Sequence, residues 1–220
     1  MSVFMTPKKQ DRVLDLGCGC GVAGFGLLLA NPGKDLHLTG MDNDPEMVEC
    51  ARKNSSKLGL EHESGFLHMD VSRLNSQTLK AESFDLVLMN PPYRRPGSGR
   101  TSDDPDRQAA TFIPAEQLHD FFRAAAFSLK NRGRAGIVYA ASRLDEVLAG
   151  LSSKLLRPKK IRLVYGRPGK PARLVLVEVC KQAGPELVIP PPLVLYDEQA
   201  RLTAQARAFC PFLACNPHRS

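Results

Sequence analysis

A carboxamide, two consecutive prolines and a phenol stand together in Asn90-Pro91-Pro92-Tyr93, directly after the segment Phe84 to Met89. Neither proline can donate to a sheet ladder, so a strand must stop there on a stiffened backbone. A second cluster is Asp15-Leu16-Gly17-Cys18-Gly19-Cys20-Gly21. Glycines at such a point let the chain turn sharply and approach a ligand closely, with a helix N-terminus facing it. The spacing is G-x-G-x-G, and Val22 occupies the place where the dinucleotide pattern G-x-G-x-x-G has its third glycine. Two acids complete the set. Asp42, 25 residues after Gly17, suits the hydroxyls of a ribose, and Asp70 suits an adenine amino group. Together these residues describe a nucleoside site.

Such residues act together only if the fold brings them to one edge. Short apolar runs alternate with amphipathic stretches along the chain, the pattern of an α/β parallel sheet. Strands are predicted at Arg12–Leu16, Leu36–Met41, Phe66–Met69, Phe84–Met89, Ala135–Ala140, Ile161–Tyr165 and Leu174–Cys180. Helices are predicted from Val22 to Ala30, Pro45 to Leu58, Pro114 to Lys130 and Leu144 to Leu156. Asp44 is placed to cap the second of these, with Pro45 in its first turn. The linker between strands six and seven has no room for a crossover helix, so that pair must be antiparallel. Asp15, Asp42, Asp70 and Asn90 then close four successive strands on one sheet edge, where ligands of parallel sheets bind. Residues 94–113 are expected to form a long loop. Pro190-Pro191-Pro192 marks a connector to a tail, so the chain divides into a main domain, 1–182, and a C-terminal extension, 183–220.

The chain has 220 residues, 43% of them hydrophobic, enough for one domain with a real core. No apolar run approaches the roughly 20 residues of a membrane span. Met1 to Gln10 lack a signal segment, which points to a cytoplasmic protein with reduced thiols. The six cysteines form no C-x-x-C pair, and Cys210, Cys215 and His218 are too loosely spaced to argue for a metal. No metal site is expected. The net charge of +7 favours a polyanionic partner. Arg94, Arg95, Arg100 and Arg107 follow the tetrapeptide. A denser patch runs from Arg157 to Arg173 without one acid, and contains Lys159, Lys160, Arg162, Arg167 and Lys170.

Asp15 to Gly21, Gly40 to Asp44, Asp70 and Asn90 to Tyr93 resemble, in that order, the motifs of class I S-adenosylmethionine-dependent methyltransferases. The resemblance implies a Rossmann-like sheet of seven mostly parallel strands with an antiparallel hairpin of strands six and seven. It implies a cofactor site made by Asp15, Gly17, Cys18, Gly19, Gly21, Asp42, Asn43, Asp70, Val71 and Asn90. The N-P-P-Y form resembles enzymes that methylate planar amino nitrogens, with Asn90, Pro91, Pro92 and Tyr93 at the reaction. In that role the Asn90 side-chain oxygen and the Pro91 carbonyl accept the amine hydrogens, and Tyr93 stacks on the acceptor. Pro158 to Val164, Leu174 to Val179 and Pro191 to Glu198 are similar to the bacterial tRNA(Val) adenine-N6 methyltransferase family. That likeness implies tRNA as partner, held by Arg94, Arg95, Arg100, Lys159, Lys160, Arg167 and Lys170. Glutamine-N5 methylation of a release factor uses the same tetrapeptide and is the enzymatic alternative. A non-catalytic RNA-binding protein on the same fold is the other.

Overall fold

The structure, a computed structural model, describes residues 4–91, 115–152 and 155–210. At its centre lie β1 (Arg12–Leu16) and β4 (Phe84–Met89), whose residues are buried on both faces almost throughout. Such two-sided burial is what a parallel strand covered by helices requires. β2 (His37–Asp42) and β3 (Ser64–His68) extend the sheet on one side of β1. On the other side β4 is followed by β5 (Leu129–Ala140), β7 (Ala172–Lys181), β6 (Leu156–Tyr165) and a two-residue strand, β8 (Leu193–Val194).

The order is β3-β2-β1-β4-β5-β7-β6-β8. The strands from β3 to β5 are parallel, and β7 runs antiparallel between β5 and β6. β6 and β8 therefore point the same way as β1 and β4. All C-terminal strand ends except that of β7 share one edge, and the β6–β7 turn lies on that edge too. The order reverses between β1 and β4, which opens a crevice above them.

Helices α1 (Val22–Leu29) and α2 (Pro45–Leu58) cover one face. Their Phe25, Leu27, Val48 and Ala51 pack with Val13, Leu38, Leu86 and Leu88. α3 (Ala115–Ser128) and α4 (Leu144–Ser152) cover the other, where Phe121, Phe122, Val147 and Leu151 pack on Leu14, Leu16, Val87 and Met89. Asp44 caps α2 by accepting from the backbone N–H groups of Glu46 and Met47, as its sequence position predicts.

Several boundaries differ from expectation. Among the described residues the sheet has eight strands rather than seven, because Leu193 and Val194 add a parallel rung beside Val164 and Tyr165. Leu193 is buried with Val164 and Leu176, so this part of the C-terminal extension joins the sheet and its core. β6 begins at Leu156, inside the expected helix, because α4 ends by Ser152 and Leu155 takes a left-handed φ of 57°. Pro158 sits at a register shift in β6, where its missing N–H is tolerated. β5 begins six residues early, at Leu129, and loops out near Arg132 before pairing resumes. β3 ends at His68, so Asp70 stands two residues beyond it and caps a 3-10 turn, Val71–Arg73. That turn, not an α-helix, is the regular element between β3 and β4.

Candidate active site

The glycine loop begins where β1 ends. Gly17, Gly19 and Gly21 all have positive φ, of 67°, 51° and 88°. A side chain at Gly21 would drive its Cβ to 2.3 Å from the Phe25 ring, so this position admits only glycine. At Gly19 the Cβ position meets nothing within 4 Å, so open space adjoins the loop. The loop is tied to β2: the N–H groups of Gly17 and Cys18 donate to the Met41 carbonyl at 2.8 and 2.9 Å. Asp42 Oδ2 accepts from Gly19 N at 2.7 Å, and its Oδ1 from Asp44 N at 3.0 Å. From α2, Asn54 Nδ2 donates to the Cys20 carbonyl at 3.0 Å.

Asp15 is buried on the α1 face and accepts from Gly24 N, in the first turns of α1, at 3.0 Å. Burial pushes its carboxyl up to about 7; the Gly24 N–H holds it down in part, and the charge of Asp42 adds to the rise. Cys18 is also buried, and burial raises its thiol far above the usual range, with Asp15 and Asp42 adding. That makes Cys18 a wall of the site and a poor nucleophile.

Asp42, half-buried, ends β2, and Asn43 follows it, exposed, with its carbonyl 3.1 Å from His68 Nε2. Asp70 Oδ1 accepts from Ser72 N at 2.8 Å, and the hydrogen bonds from Ser72 hold its carboxyl below the ordinary value. Val71 is half-buried beside it and packs against the α3 core. At the end of β4, Asn90 is exposed while Pro91 is buried. Alternation along β4 puts Asn90 in register with Leu86 and Leu88, on the α1 face that Asp15 also occupies. The glycine loop, Asp42 and Asn90 thus share the edge where strand order reverses, with the buried Asp15 beneath the loop and Asp70 on the β3 side. Pro92, Tyr93, Arg94, Arg95 and Arg100 lie outside the described residues.

The basic patch divides. Lys160 Nζ lies 2.9 Å from the buried Glu178 Oε2 and over the Phe4 ring, while Arg134 reaches Glu178 Oε1 at 3.2 Å. Lys159 Nζ turns to the Gly184 carbonyl at 3.3 Å and to Glu186 at 3.9 Å. Both lysines sit mid-strand, about 16 Å (Lys160) and about 20 Å (Lys159) below the crevice edge at a strand rise of roughly 3.3 Å per residue. Arg167 and Lys170 are exposed in the β6–β7 turn at the edge itself. Sequence reasoning missed Phe121, whose ring touches the Cβ position of Gly17 at 3.2 Å, and Asn54. Neither has a local signal, since both arrive from distant helices.

Residues 7–153 match the family described as methyltransferase domain, a span that takes in β1 to β5 and the whole crevice. The chain belongs to the methyltransferase-domain family. Its fold is similar to that of a solved predicted O-methyltransferase from Agrobacterium tumefaciens, with a TM-score of 0.75 at 23% identity, covering 96% of this chain and 93% of that one. It is also similar to TrmN from Thermus thermophilus, with a TM-score of 0.58 at 18% identity over 79% of this chain and 45% of that one. Among curated proteins, it is 44% identical over 79 residues to the 23S rRNA (uracil(747)-C(5))-methyltransferase RlmC of Pectobacterium atrosepticum. That stretch is 36% of this chain and 20% of the relative. RlmC of Proteus mirabilis is 44% identical over 97 residues, 43% of this chain and 22% of the relative. The chain thus matches about a fifth of the length of these curated relatives.

A methyltransferase domain takes its methyl group from S-adenosylmethionine, the cofactor this family implies. The residues fit it. Space adjoins Gly19, the Asp42 carboxylate ends β2 beside the loop, and Asp15 is a buried carboxyl that a cation would help to ionise. S-adenosylmethionine carries two cationic groups, the sulfonium and the ammonium, together with a ribose.

Proposed function

We propose that this domain methylates the exocyclic N6 amino group of an adenine in tRNA. The observation that carries the reading is the Asn90 carboxamide, exposed at the end of β4 beside the glycine loop that ends β1. An adenine amino nitrogen is a poor nucleophile, because its lone pair is delocalised into the ring. S-adenosylmethionine supplies an electrophilic methyl on its sulfonium. Asn90 Oδ1 and the Pro91 carbonyl accept the two amine hydrogens, which turns the lone pair out of the ring and offsets charge growing on nitrogen. Tyr93 stacks on the base, which must leave its neighbours to enter the crevice. The methylated nitrogen is acidic and needs no strong base, so positioning and electrostatics do the work.

Gly17, Gly19 and Gly21 take the methionine part of the cofactor in this reading, with Asp42 at the ribose and Asp70 at the adenine. Three observations support RNA as the acceptor. The net charge is +7, exposed cations of the β6–β7 turn share the crevice edge, and the RlmC relatives carry RNA methylation in their names. The test is to offer labelled S-adenosylmethionine with purified tRNA, ribosomal RNA and a release factor in one reaction. Label in the tRNA pool is expected. Label in the release factor would replace the nucleic-acid acceptor with a glutamine amide.

A further inference from the structure

A cavity of about 680 Å³ opens at the crevice edge, between the β6–β7 turn and the segment that follows β8. Its volume is in the range of small-ligand sites. The floor is apolar, formed by Val164, Leu174 and Leu195. The exposed Arg167, Lys170 and Arg173 and the half-buried Tyr196 complete the lining. Gly169, with a φ of 68°, tightens the turn that groups the cations. Gly166 lets the Arg173 stem lie close, since a Cβ there would stand 3.3 Å from the Arg173 Cδ. The two walls are tied by the backbone, with Leu195 N donating to the Tyr165 carbonyl at 2.9 Å and Tyr196 N to the Gly166 carbonyl at 3.0 Å.

The occupant's chemistry follows from this lining. Three cations with no carboxylate partner among the described residues call for an anion. An apolar floor and an aromatic wall call for a flat, weakly polar body attached to it. A nucleotide combines both, whereas a free phosphate has no use for the floor. Position favours the same ligand. Val164 and Leu174 belong to the α1 face, which Asn90 shares, and β6 stands three strands from β4. At a strand spacing of roughly 4.8 Å that offset is about 14 Å. A single strand whose target base enters at Asn90 passes over the cavity within a few nucleotides.

We propose that this cavity is a subsite for a nucleotide flanking the methylated one, with Arg167, Lys170 and Arg173 on its phosphates and Tyr196 against its base. The proposal rests on the reading that the acceptor is RNA. It also moves the RNA contact away from Lys159 and Lys160, which serve the Glu178 and Gly184 contacts in mid-strand.

The test uses the full chain and a fluorescein-labelled single-stranded 12-mer oligoribonucleotide, followed by anisotropy across a salt series. Cofactor affinity and thermal melting confirm that each variant is folded. Replacing Arg167, Lys170 and Arg173 together by alanine should weaken binding at least about tenfold and flatten the salt slope by up to about 2, at roughly 0.7 per phosphate. Tyr196→Leu should weaken binding about fivefold or more without changing that slope, the signature of lost stacking. Lys159→Ala should change neither. If the wild-type chain binds the oligoribonucleotide and the triple variant binds it with equal affinity and slope, the subsite is overturned while the RNA reading stands. If the wild-type chain binds S-adenosylmethionine but no oligoribonucleotide, the RNA reading falls and takes the subsite with it.

Discussion

Replacing Asp15 by asparagine should change how stability depends on pH, by an amount that follows from the burial of one carboxyl. In the folded chain that carboxyl stands at about 7, against an ordinary aspartate value of 3.8. It therefore holds its proton more tightly folded than unfolded. The stabilisation this gives is complete below about pH 4 and is lost as pH rises through about 7. At about 1.4 kcal/mol per pKa unit the whole span is worth about 4 kcal/mol, an upper figure for a group whose surroundings relax. Linkage puts about 2.5 kcal/mol of the loss between pH 5 and pH 8. The Asp15→Asn variant cannot ionise, and its amide oxygen still accepts from the Gly24 N–H. Urea unfolding of both proteins, followed by circular dichroism at pH 5, 6, 7 and 8, measures the effect. Other titrating groups cancel in the difference, so the gap should shift by about 2.5 kcal/mol toward the variant from pH 5 to pH 8. A gap that stays constant within about 0.5 kcal/mol over that range would refute the argument that burial governs this carboxyl.

Three further outcomes are expected. Asn90→Ala should abolish methyl transfer while leaving S-adenosylmethionine affinity within about tenfold, or ~1.4 kcal/mol, by calorimetry. Gly40→Ala should cost about 1–3 kcal/mol in urea unfolding, since its Cβ would stand 2.5 Å from the Phe66 ring and 3.0 Å from the Cys18 sulfur. The same change should weaken cofactor binding, because Cys18 belongs to the glycine loop. Glu178→Ala strands Lys160 and Arg134, both of them partly exposed, so urea unfolding should show a loss of roughly 2 kcal/mol, less than for a fully buried pair.

What the sequence disclosed and what it withheld have separate physical causes. β1, β4 and α2 match their predicted bounds, because burial on both faces, or a cap with proline behind it, writes a local signature. The positions of Asp15, Gly17, Asp42 and Asn90 followed from those elements, since a parallel sheet sends every strand end to one edge. β8 was illegible because two residues carry no periodicity, and only their pairing with Val164 and Tyr165 makes them a strand. Pro158 disguised the first half of β6, as a proline usually ends a strand and here occupies a bulge. Charge was the least legible feature. Lys160 and Arg167 are both cations in one basic run, yet one is neutralised by a buried glutamate that arrives on β7 and the other is exposed at the edge, with no carboxylate partner among the described residues. No local rule separates them, because the partner lies 18 residues away in sequence.

The central claim is tested most directly by the chemical identity of the methylated nucleoside. tRNA lacking its modification is incubated with the protein and deuterium-labelled methyl donor, digested to nucleosides and analysed by mass spectrometry. The account predicts labelled N6-methyladenosine with the wild-type chain and none with Asn90→Ala. Labelled 5-methyluridine, or N6-methyladenosine formed undiminished by the variant, would contradict it.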